Sequence, residues 1–324
     1  MPIVNSQYRK SGGRWGVEMD QEIINKIIKR HKALNGVGLI KPLQKGQSPE
    51  KKFILFIDNQ EKFILRMAEI GRSHKYQKMF NIIRHFYKKG VKCLKPVAFD
   101  KTSGRKYCYT VFEYIEGKSS ESVLPYLSKN EQLEIGIAAG AELKKLHKLK
   151  CPKKNKDWFD KRYPKFLSDL KVFNKLNLTF YKEKYILDYI KAHVELMKGR
   201  PYRFLHYDYG VRNLIIHNNQ FNGIIDFNGY KWGDPIHDFY KLPWGSKSCS
   251  IPFINGEIIG YCGGRPTDTF WEMYNLYVML NLHRRLVWAY LKRPSRLSAR
   301  LKTIEEIIKD HDWKSNRAPS WFKY

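Results

Sequence analysis

The chain has 324 residues, which is enough for two compact units that each bury a core of their own. Its 43% hydrophobic and 15% aromatic content is ordinary for a globular enzyme and excludes a largely disordered chain. The formal net charge of +29 suggests contact with nucleic acid or another anionic surface. Basic residues exceed acidic ones on both sides of residue 116, however, so we interpret most of the surplus as compositional bias.

Other global features favour a cytoplasmic protein. No stretch reaches the roughly 18 consecutive apolar residues that a membrane helix needs, so we expect no membrane association. The N-terminal residues MPIVNSQYRKSGGRWG lack the apolar core of a signal peptide. The five cysteines are dispersed without C-x-x-C spacing, which favours reduced thiols and no zinc site.

The first third of the chain predicts a small sheet with one helix inserted in it. Residues 18–35 alternate charged residues with isoleucines at helical spacing and predict an amphipathic leading helix. Strands are predicted at 37–44, 53–57, 62–67, 96–100 and 107–115. A helix at 72–89 separates the third and fourth strands and ends at Gly90.

From residue 117 onward the apolar residues follow a helical period. Helices are predicted at 129–147, 158–175, 182–198, 267–291 and 296–310. The aromatic stripe in the fourth of these helices is interpreted as core; it comprises Phe270, Tyr274 and Tyr277, with Leu280. We therefore predict two lobes, residues 1–116 (with the leading helix 18–35) and 117–324, joined by a hinge at 113–117.

Residues 204–239 carry three motifs that suit phosphoryl transfer. His206, Asp208 and Asn213 form an H-x-D-x-x-x-x-N loop, Asp226 ends an apolar strand, and Gly-Asp-Pro follows with Asp238 just beyond. This chemistry needs one carboxylate to orient the attacking hydroxyl, and an amide with a second carboxylate to hold magnesium. Each motif alone is common in loops, but three in this order and spacing indicate a kinase-like site.

The order is similar to that of protein kinases, but Asp-Phe-Asn stands in place of Asp-Phe-Gly and no Ala-Pro-Glu follows. With these departures, the motifs resemble the aminoglycoside phosphotransferase family. The resemblance implies an α+β, bilobal, protein-kinase-like fold, with a small five-stranded antiparallel nucleotide-binding lobe and a larger, mainly helical lobe for catalysis and acceptor binding. It implies an enzyme that uses Mg2+ and ATP, with GTP as the alternative, to phosphorylate a hydroxyl of a small molecule.

The resemblance also assigns roles in the second lobe. Asp208 would be the catalytic base or would orient the acceptor hydroxyl. Asn213 and Asp226 would hold magnesium. His206 would support the metal-binding loop through backbone contacts, and Asp238 would cap the backbone of the catalytic loop.

In the first lobe, Arg66 would be the third-strand cation that grips phosphate, unless it is an exposed edge arginine. The turn containing Ser48 would cover the phosphates, and Glu113 and Ile115 would offer backbone groups to the adenine. Arg212 either reaches a phosphate or lies exposed. Kinases pair the third-strand cation with a glutamate on the following helix. Residues 72–89 contain no acidic residue, so either Arg66 dispenses with a partner or the nucleotide site is weakened.

The motifs leave the acceptor open, because its specificity resides in the large lobe. An aminoglycoside antibiotic, and with it antibiotic resistance, is the family-level expectation. Such a polycation needs a carboxylate-lined pocket, for which the candidates are Asp157, Asp160, Glu272, Asp310 and Asp312. The alternatives are kinases of a choline-, homoserine- or sugar-like metabolite. A further alternative is a basic, catalytically weak pseudokinase whose binding of nucleic acid or another polyanion would fall steeply with salt.

Overall fold

A computed structural model describes residues 14–43, 50–152, 157–311 and 317–324, with side chains described from Asp20 onward. The chain divides into two compact units by its internal contacts. The first contains the described residues up to Gly117 together with Asn222–Ile225, and the second contains Lys118–Phe221 and Asp226–Tyr324.

The first unit is built on a five-stranded antiparallel sheet. Its strands are β1 (Leu39–Pro42), β2 (Lys51–Ile57), β3 (Gln60–Glu69), β4 (Pro96–Lys101) and β5 (Tyr107–Glu113), in the spatial order β1-β2-β3-β5-β4. Asp58 and Asn59, which connect β2 to β3, both have positive φ, as a two-residue hairpin turn requires.

Two helices flank this sheet, α1 (Arg14–Arg30) and α2 (Ser73–Lys88). Phe80 of α2 packs against Phe99 of β4 and Phe112 of β5, at ring-centroid distances of 6.1 and 5.6 Å. The predicted five strands with one helix between the third and fourth are confirmed. The leading helix ends five residues earlier than predicted, because His31 adopts an extended conformation and its Nε2 lies 2.8 Å from the Tyr109 hydroxyl.

The second unit is mainly helical. Its helices are α3 (Ser120–Val123), α4 (Lys129–Leu146), α5 (Trp158–Lys175), α6 (Glu183–His193), α7 (Ser246–Cys249), α8 (Ile251–Cys262), α9 (Asp268–Lys292) and α10 (Leu297–Asp310). Its short strands are β6 (Lys118–Ser119), β7 (Arg203–Leu205), β8 (Leu214–His217) and β10 (Lys231–Gly233). A further strand, β9 (Gln220–Ile224), begins in this unit, and its last three residues belong to the first unit. β6 pairs antiparallel with β8, and β7 pairs antiparallel with β10. Phe270, Tyr274, Tyr277 and Leu280 of α9 are all buried, as predicted.

Helix α8 was not predicted from the sequence, because its two glycines lower helix propensity. The structure gives their purpose. A Cβ on Gly260 would lie 2.0 Å from the carbonyl oxygen of Ile137, and one on Gly140 would lie 2.0 Å from the carbonyl oxygen of Glu257. The backbones of α4 and α8 therefore pack too closely for any side chain at these positions.

Several 3-10 segments complete the fold. They are Lys32–Leu34, Ile70–Arg72, Ser103–Arg105, Leu124–Tyr126, Val194–Met197, Phe227–Gly229, Pro235–Trp244 and Pro294–Arg296. Among the residues that the structure describes, no helix is both long enough and apolar enough to cross a membrane.

Candidate active site

The loop between β7 and β8 is anchored through its backbone by Asp238. The amide of His206 donates to Asp238 Oδ2 at 2.8 Å, and the amide of Tyr207 donates to Oδ1 at 2.9 Å. Tyr207 has φ of 66°, a left-handed conformation that is costly for a bulky side chain and persists only where its surroundings enforce it. Both oxygens of one buried carboxylate thus fix the backbone immediately before Asp208.

Asp238 is itself held by the residue that follows α4. His147 Nε2 lies 3.1 Å from Asp238 Oδ2, and His147 Nδ1 lies 3.0 Å from the hydroxyl of Tyr261 on α8. His147 and Asp238 are both buried. The closely packed α4–α8 pair therefore supports the loop between β7 and β8 through His147 and Asp238.

Asp208 lies at the exposed tip of this loop, with 57% of its side chain accessible. Asn213 Nδ2 donates to Asp208 Oδ2 at 3.1 Å and to the Asp208 carbonyl at 2.9 Å. Lys241 Nζ donates to Asp208 Oδ1 at 2.6 Å and to the Tyr207 carbonyl at 2.6 Å. Partial burial acts to raise the pKa of Asp208, but the charges of Lys241 and His206 and the Asn213 hydrogen bond outweigh it and lower that pKa below its ordinary value.

Lys241 was missed by sequence reasoning, although a signal for it existed. It lies three residues after Asp238 within the 3-10 segment Pro235–Trp244. Residues three apart eclipse each other in a 3-10 helix, so the element that presents Asp238 to the loop presents Lys241 to the same loop. We did not predict that the Gly-Asp-Pro motif would continue as a 3-10 helix, and Lys241 was therefore not considered.

Asp226 follows β9 and has φ of 62°, a second left-handed residue at the site. The next residue, Phe227, packs against the His206 ring with centroids 4.9 Å apart. Asp226 Oδ1 is buried and has no hydrogen-bond partner among the described residues. A buried carboxylate oxygen without a partner is unusual and fits a metal ligand.

The donor set also suits magnesium bound together with phosphate. The Asn213 amide nitrogen is used by Asp208, which leaves its amide oxygen, a hard ligand that Mg2+ accepts. No group of three or more His, Cys, Asp and Glu side chains within the described ranges could hold a metal. Magnesium typically takes one or two protein oxygens and completes its shell with water and phosphate, so Asn213 and Asp226 fit it.

Arg212, immediately before Asn213, lies on the surface. Its side chain is 79% exposed, and its Nε donates to Glu121 Oε1 of α3 at 2.9 Å. The sequence left two alternatives for this residue, a phosphate contact or an exposed position, and the structure places it exposed in an ion pair.

In the first unit, Arg66 lies on β3 and is buried, contrary to the alternative of an exposed edge arginine. Its Nε and Nη2 donate to the two carboxylate oxygens of Glu50 at 2.7 and 3.1 Å, with the two side chains only 5% and 2% exposed. Tyr76 of α2 also hydrogen-bonds Glu50. The inference that Arg66 has no acidic partner was wrong: the carboxylate comes from the residue before β2, and α2 contributes a tyrosine.

The remaining positions predicted to contact the nucleotide are only partly described. Ser48 lies outside the described residues. The amide of Glu113 donates to the Lys95 carbonyl at 2.9 Å, and its carboxylate pairs with the Lys95 ammonium. The Glu113 amide is therefore already used within the unit. Ile115 follows the end of β5 by two residues, and its side chain approaches Gly223.

The profile of the phosphotransferase enzyme family (APH) matches residues 39–271, more than half of the chain. The chain belongs to this family. Among curated proteins, no sequence matches it significantly.

Solved structures of aminoglycoside phosphotransferases share the fold of this family member. ADP-bound APH(2'')-Ib aligns with a TM-score of 0.61 and 18% identity, covering 88% of this chain and 97% of that one. The gentamicin complex of APH(2'')-IIa aligns at 0.60 and 19%, covering 92% and 98%. The GDP complex of aminoglycoside 2'-phosphotransferase-IIIa aligns at 0.63 and 13%, covering 90% and 97%. The predicted kinase-like fold is thereby confirmed.

The third motif of this phosphotransferase family member is a buried structural unit. Asp234 accepts from Arg200 Nε at 2.5 Å, from the Tyr277 hydroxyl at 2.7 Å and from the Ile236 amide at 3.0 Å. A Cβ on Gly233 would lie 2.3 Å from the Trp158 ring. The Gly-Asp pair thus fixes the start of the 3-10 segment that presents Asp238 and Lys241.

Proposed function

We propose that this chain transfers the γ-phosphate of ATP or GTP, with Mg2+, to a hydroxyl group of a small molecule. The observation that carries the proposal is the environment of Asp208. This carboxylate is exposed to solvent, held ionised by Lys241, oriented by Asn213, and mounted on a loop whose backbone is fixed by Asp238. An accessible, oriented carboxylate is what an acceptor hydroxyl requires.

In this mechanism Asp208 accepts a hydrogen bond from the acceptor hydroxyl, aligns its oxygen for in-line attack and takes up its proton as the bond to phosphorus forms. A carboxylate of lowered pKa is a weak base, so positioning contributes more than basicity. The Lys241 ammonium offsets negative charge beside the reacting groups. It donates both to the Asp208 carboxylate and to the Tyr207 carbonyl, and so holds the Asp208 side chain against the loop backbone.

Asn213 and Asp226 would hold magnesium. When bound, magnesium would supply positive charge that offsets the negative charge of the phosphate groups. The protein prepares for it in two ways: Asn213 is oriented by its hydrogen bonds to Asp208, and Asp226 is held in a left-handed conformation with Oδ1 buried. Phe227, packed on His206, couples the position of Asp226 to the catalytic loop.

The first unit would bind the nucleotide. Arg66 is fixed by Glu50, which Tyr76 also hydrogen-bonds, and its guanidinium is the cation proposed to bind a phosphate oxygen. Ser48, Ile115 and the carbonyl of Glu113 remain proposed nucleotide contacts. ADP and GDP in the complexes named above support a nucleotide here.

The acceptor is proposed as a class, a small hydroxylated molecule. Similar structures contain gentamicin and kanamycin, which supports an aminoglycoside as one candidate and antibiotic resistance as one context. A cytoplasmic location is part of the same proposal.

The test is magnesium-dependent turnover of ATP and GTP across aminoglycosides, macrolides, choline, homoserine and sugars. Asp208→Asn should lower acceptor-stimulated kcat by about 100- to 10,000-fold. Asp188→Asn, an exposed position on α6, is the matched control and should leave the rate unchanged. Turnover that is equal in the wild type and in Asp208→Asn would refute the assignment of the base.

A further inference from the structure

A basic cluster lies beside Asp208 in the second unit. We define it as Arg162 of α5, Lys241 of the segment Pro235–Trp244, Arg284 and Arg285 of α9, and Arg300 of α10. They come from four elements that are separated in the sequence, and the fold brings their charges to one part of the unit.

Contacts with two aromatic rings, Tyr240 and Trp244, connect Lys241 to the arginines of the cluster. Lys241, bound to Asp208 Oδ1, lies 6.0 Å from the Tyr240 ring centroid, and Arg285 lies 5.6 Å from the same ring. The guanidinium of Arg285 is also 5.3 Å from the centroid of the Trp244 ring, and the guanidinium of Arg300 on α10 is 5.1 Å from the same centroid. Cation–aromatic contacts of this kind orient side chains and leave their charge uncancelled.

Arg162 is a buried cation that forms no ion pair with any carboxylate in the part of the chain that the structure describes. Its residue is 4% exposed, its Nη2 donates to Asn281 Oδ1 at 2.8 Å, and its Nε has no hydrogen-bond partner among the described residues. The carboxylate whose charge acts on it, Asp169, is paired with Lys165 at 3.4 Å. A buried guanidinium normally has a bound counter-ion.

The positive charges of the cluster lower the pKa values of basic groups in and beside it. Burial lowers the pKa of His237 well below its ordinary value, and nearby cations lower it further; these cations are Arg162, Lys241 and Arg284. Burial and the charges of neighbouring arginines likewise lower the pKa of Arg300. Within the described part of the chain, no carboxylate lies within 4.0 Å of Arg284, Arg285 or Arg300.

Two of the five carboxylates that are candidates for binding a polycationic acceptor, Asp157 and Asp310, already have partners within the protein. Asp157 caps α5, accepting from the amides of Phe159 and Gly199 at 2.8 Å each. Asp310 forms an ion pair with Lys247. Asp312, the last of the sequence candidates, lies outside the described residues.

We propose that the acceptor is an anionic small molecule, a hydroxylated carboxylate or phosphate ester whose negative group is bound by the basic cluster while its hydroxyl meets Asp208. This inference rests on the proposed phosphotransferase function and narrows its acceptor. Guanidinium groups bind carboxylate and phosphate in a bidentate manner. The same charges repel a polycation such as an aminoglycoside.

The test uses acceptors that share a ring and differ in charge: glucuronate and glucose 6-phosphate (anionic), glucose (neutral) and glucosamine (cationic), with kanamycin as a polycation. Initial rates of nucleotide consumption are measured with magnesium and ATP or GTP, together with the Asp208→Asn control. We expect kcat/KM for the best anion to exceed those of glucose and glucosamine by at least about tenfold, since each charge-assisted contact discriminates at roughly that level.

The double variant Arg285→Gln/Arg300→Gln tests the cluster itself. It should raise KM for the preferred anion by about tenfold or more with little change in kcat, because it removes binding contacts and leaves Asp208 intact. Arg293→Gln, an exposed position at the end of α9, is the matched control and should leave KM unchanged. Thermal melting of each variant establishes that both are folded.

The outcomes are distinguishable. Asp208-dependent turnover that is as fast with glucosamine, kanamycin or glucose as with the anions would overturn the anionic acceptor and leave the phosphotransferase proposal standing. A double variant with unchanged KM for the anion would overturn the role of the cluster. Absence of Asp208-dependent turnover with every acceptor, or salt-sensitive binding of RNA without turnover, would overturn both proposals.

Discussion

Replacing Glu50 with glutamine should destabilise the protein far more than a surface substitution would. Glutamine keeps the size of the side chain and one oxygen acceptor but removes the negative charge that faces Arg66. The two side chains are 2% and 5% exposed, so solvent cannot take over the role of the carboxylate. The variant therefore leaves a buried guanidinium without its counter-charge.

The size of the effect follows from the geometry. Two charge-assisted hydrogen bonds, at 2.7 and 3.1 Å, are weakened or lost. Breaking one partner of a buried pair typically costs about 3–5 kcal/mol, most of it from the charge left behind. Adding Arg66→Met removes that charge, so the double variant should recover to within about 2 kcal/mol of the wild type. The introduced glutamine still offers an acceptor to Tyr76 in both variants.

The assay is urea unfolding followed by circular dichroism and tryptophan fluorescence. Glu113→Gln, in the exposed pair with Lys95, is the matched control and should shift the midpoint little. The reasoning is refuted if Glu50→Gln shifts the midpoint no more than Glu113→Gln, or if the double variant is less stable than Glu50→Gln. The double variant should also lose nucleotide affinity despite its recovered stability, since it lacks Arg66, the residue that we propose binds phosphate.

Two further predictions concern the α4–α8 pair. Gly140→Ala places a Cβ 2.0 Å from the Glu257 carbonyl oxygen and should lower the free energy of unfolding in urea by at least about 2 kcal/mol. Gly71→Ala is the control and should be nearly neutral, because a Cβ at Gly71 would have no atom within 4 Å. Equal effects of the two substitutions would contradict the packing argument. Burial and the charge of Asp238 raise the pKa of Glu257 to about 8, so folding favours its protonated form, and the stability this contributes is lost as pH rises from about 4.5 to 8. Glu257→Gln should therefore flatten the loss of stability between pH 5.5 and 8.5, by at most roughly 3.4 kcal/mol; an unchanged pH profile would refute the assignment.

The sequence predicted the parts of the site that lie within short segments. The loop after β7, the apolar strand before Asp226 and the five strands of the first unit all depend on local patterns, and the structure has them where those patterns indicated. Glu50 and Lys241 were not predicted, because each acts on a residue far away in the chain. Helix α8 was not predicted for a related reason. Its glycines disfavour a helix in isolation, and the close packing against α4 that requires them is not visible in the local sequence.

Two ion pairs, Arg66–Glu50 in the first unit and Lys241–Asp208 in the second, differ in burial, and this difference predicts different roles. The Arg66–Glu50 pair is buried and fixed, whereas Asp208 is 57% exposed and Lys241 22% exposed. Exposed pairs contribute only about 0–1 kcal/mol to stability, so Lys241→Met should leave the urea midpoint nearly unchanged.

Lys241→Met should instead act on catalysis. Burial raises the pKa of Asp208 and the charge of Lys241 is the largest opposing influence, so its loss should move that pKa upward. Because the proposed mechanism needs ionised Asp208, the acidic limb of the pH profile of kcat/KM should shift to higher pH, and kcat should fall by about tenfold or more. Lys231→Met is the control, because the Lys231 ammonium lies 6.0 Å from the Tyr207 ring and does not contact Asp208. If Lys241→Met leaves the acidic limb in place and lowers the urea midpoint, Lys241 has a structural role instead. The two measurements separate the roles, because a charge effect on Asp208 shifts the pH profile without changing the midpoint, whereas loss of structural support does the opposite.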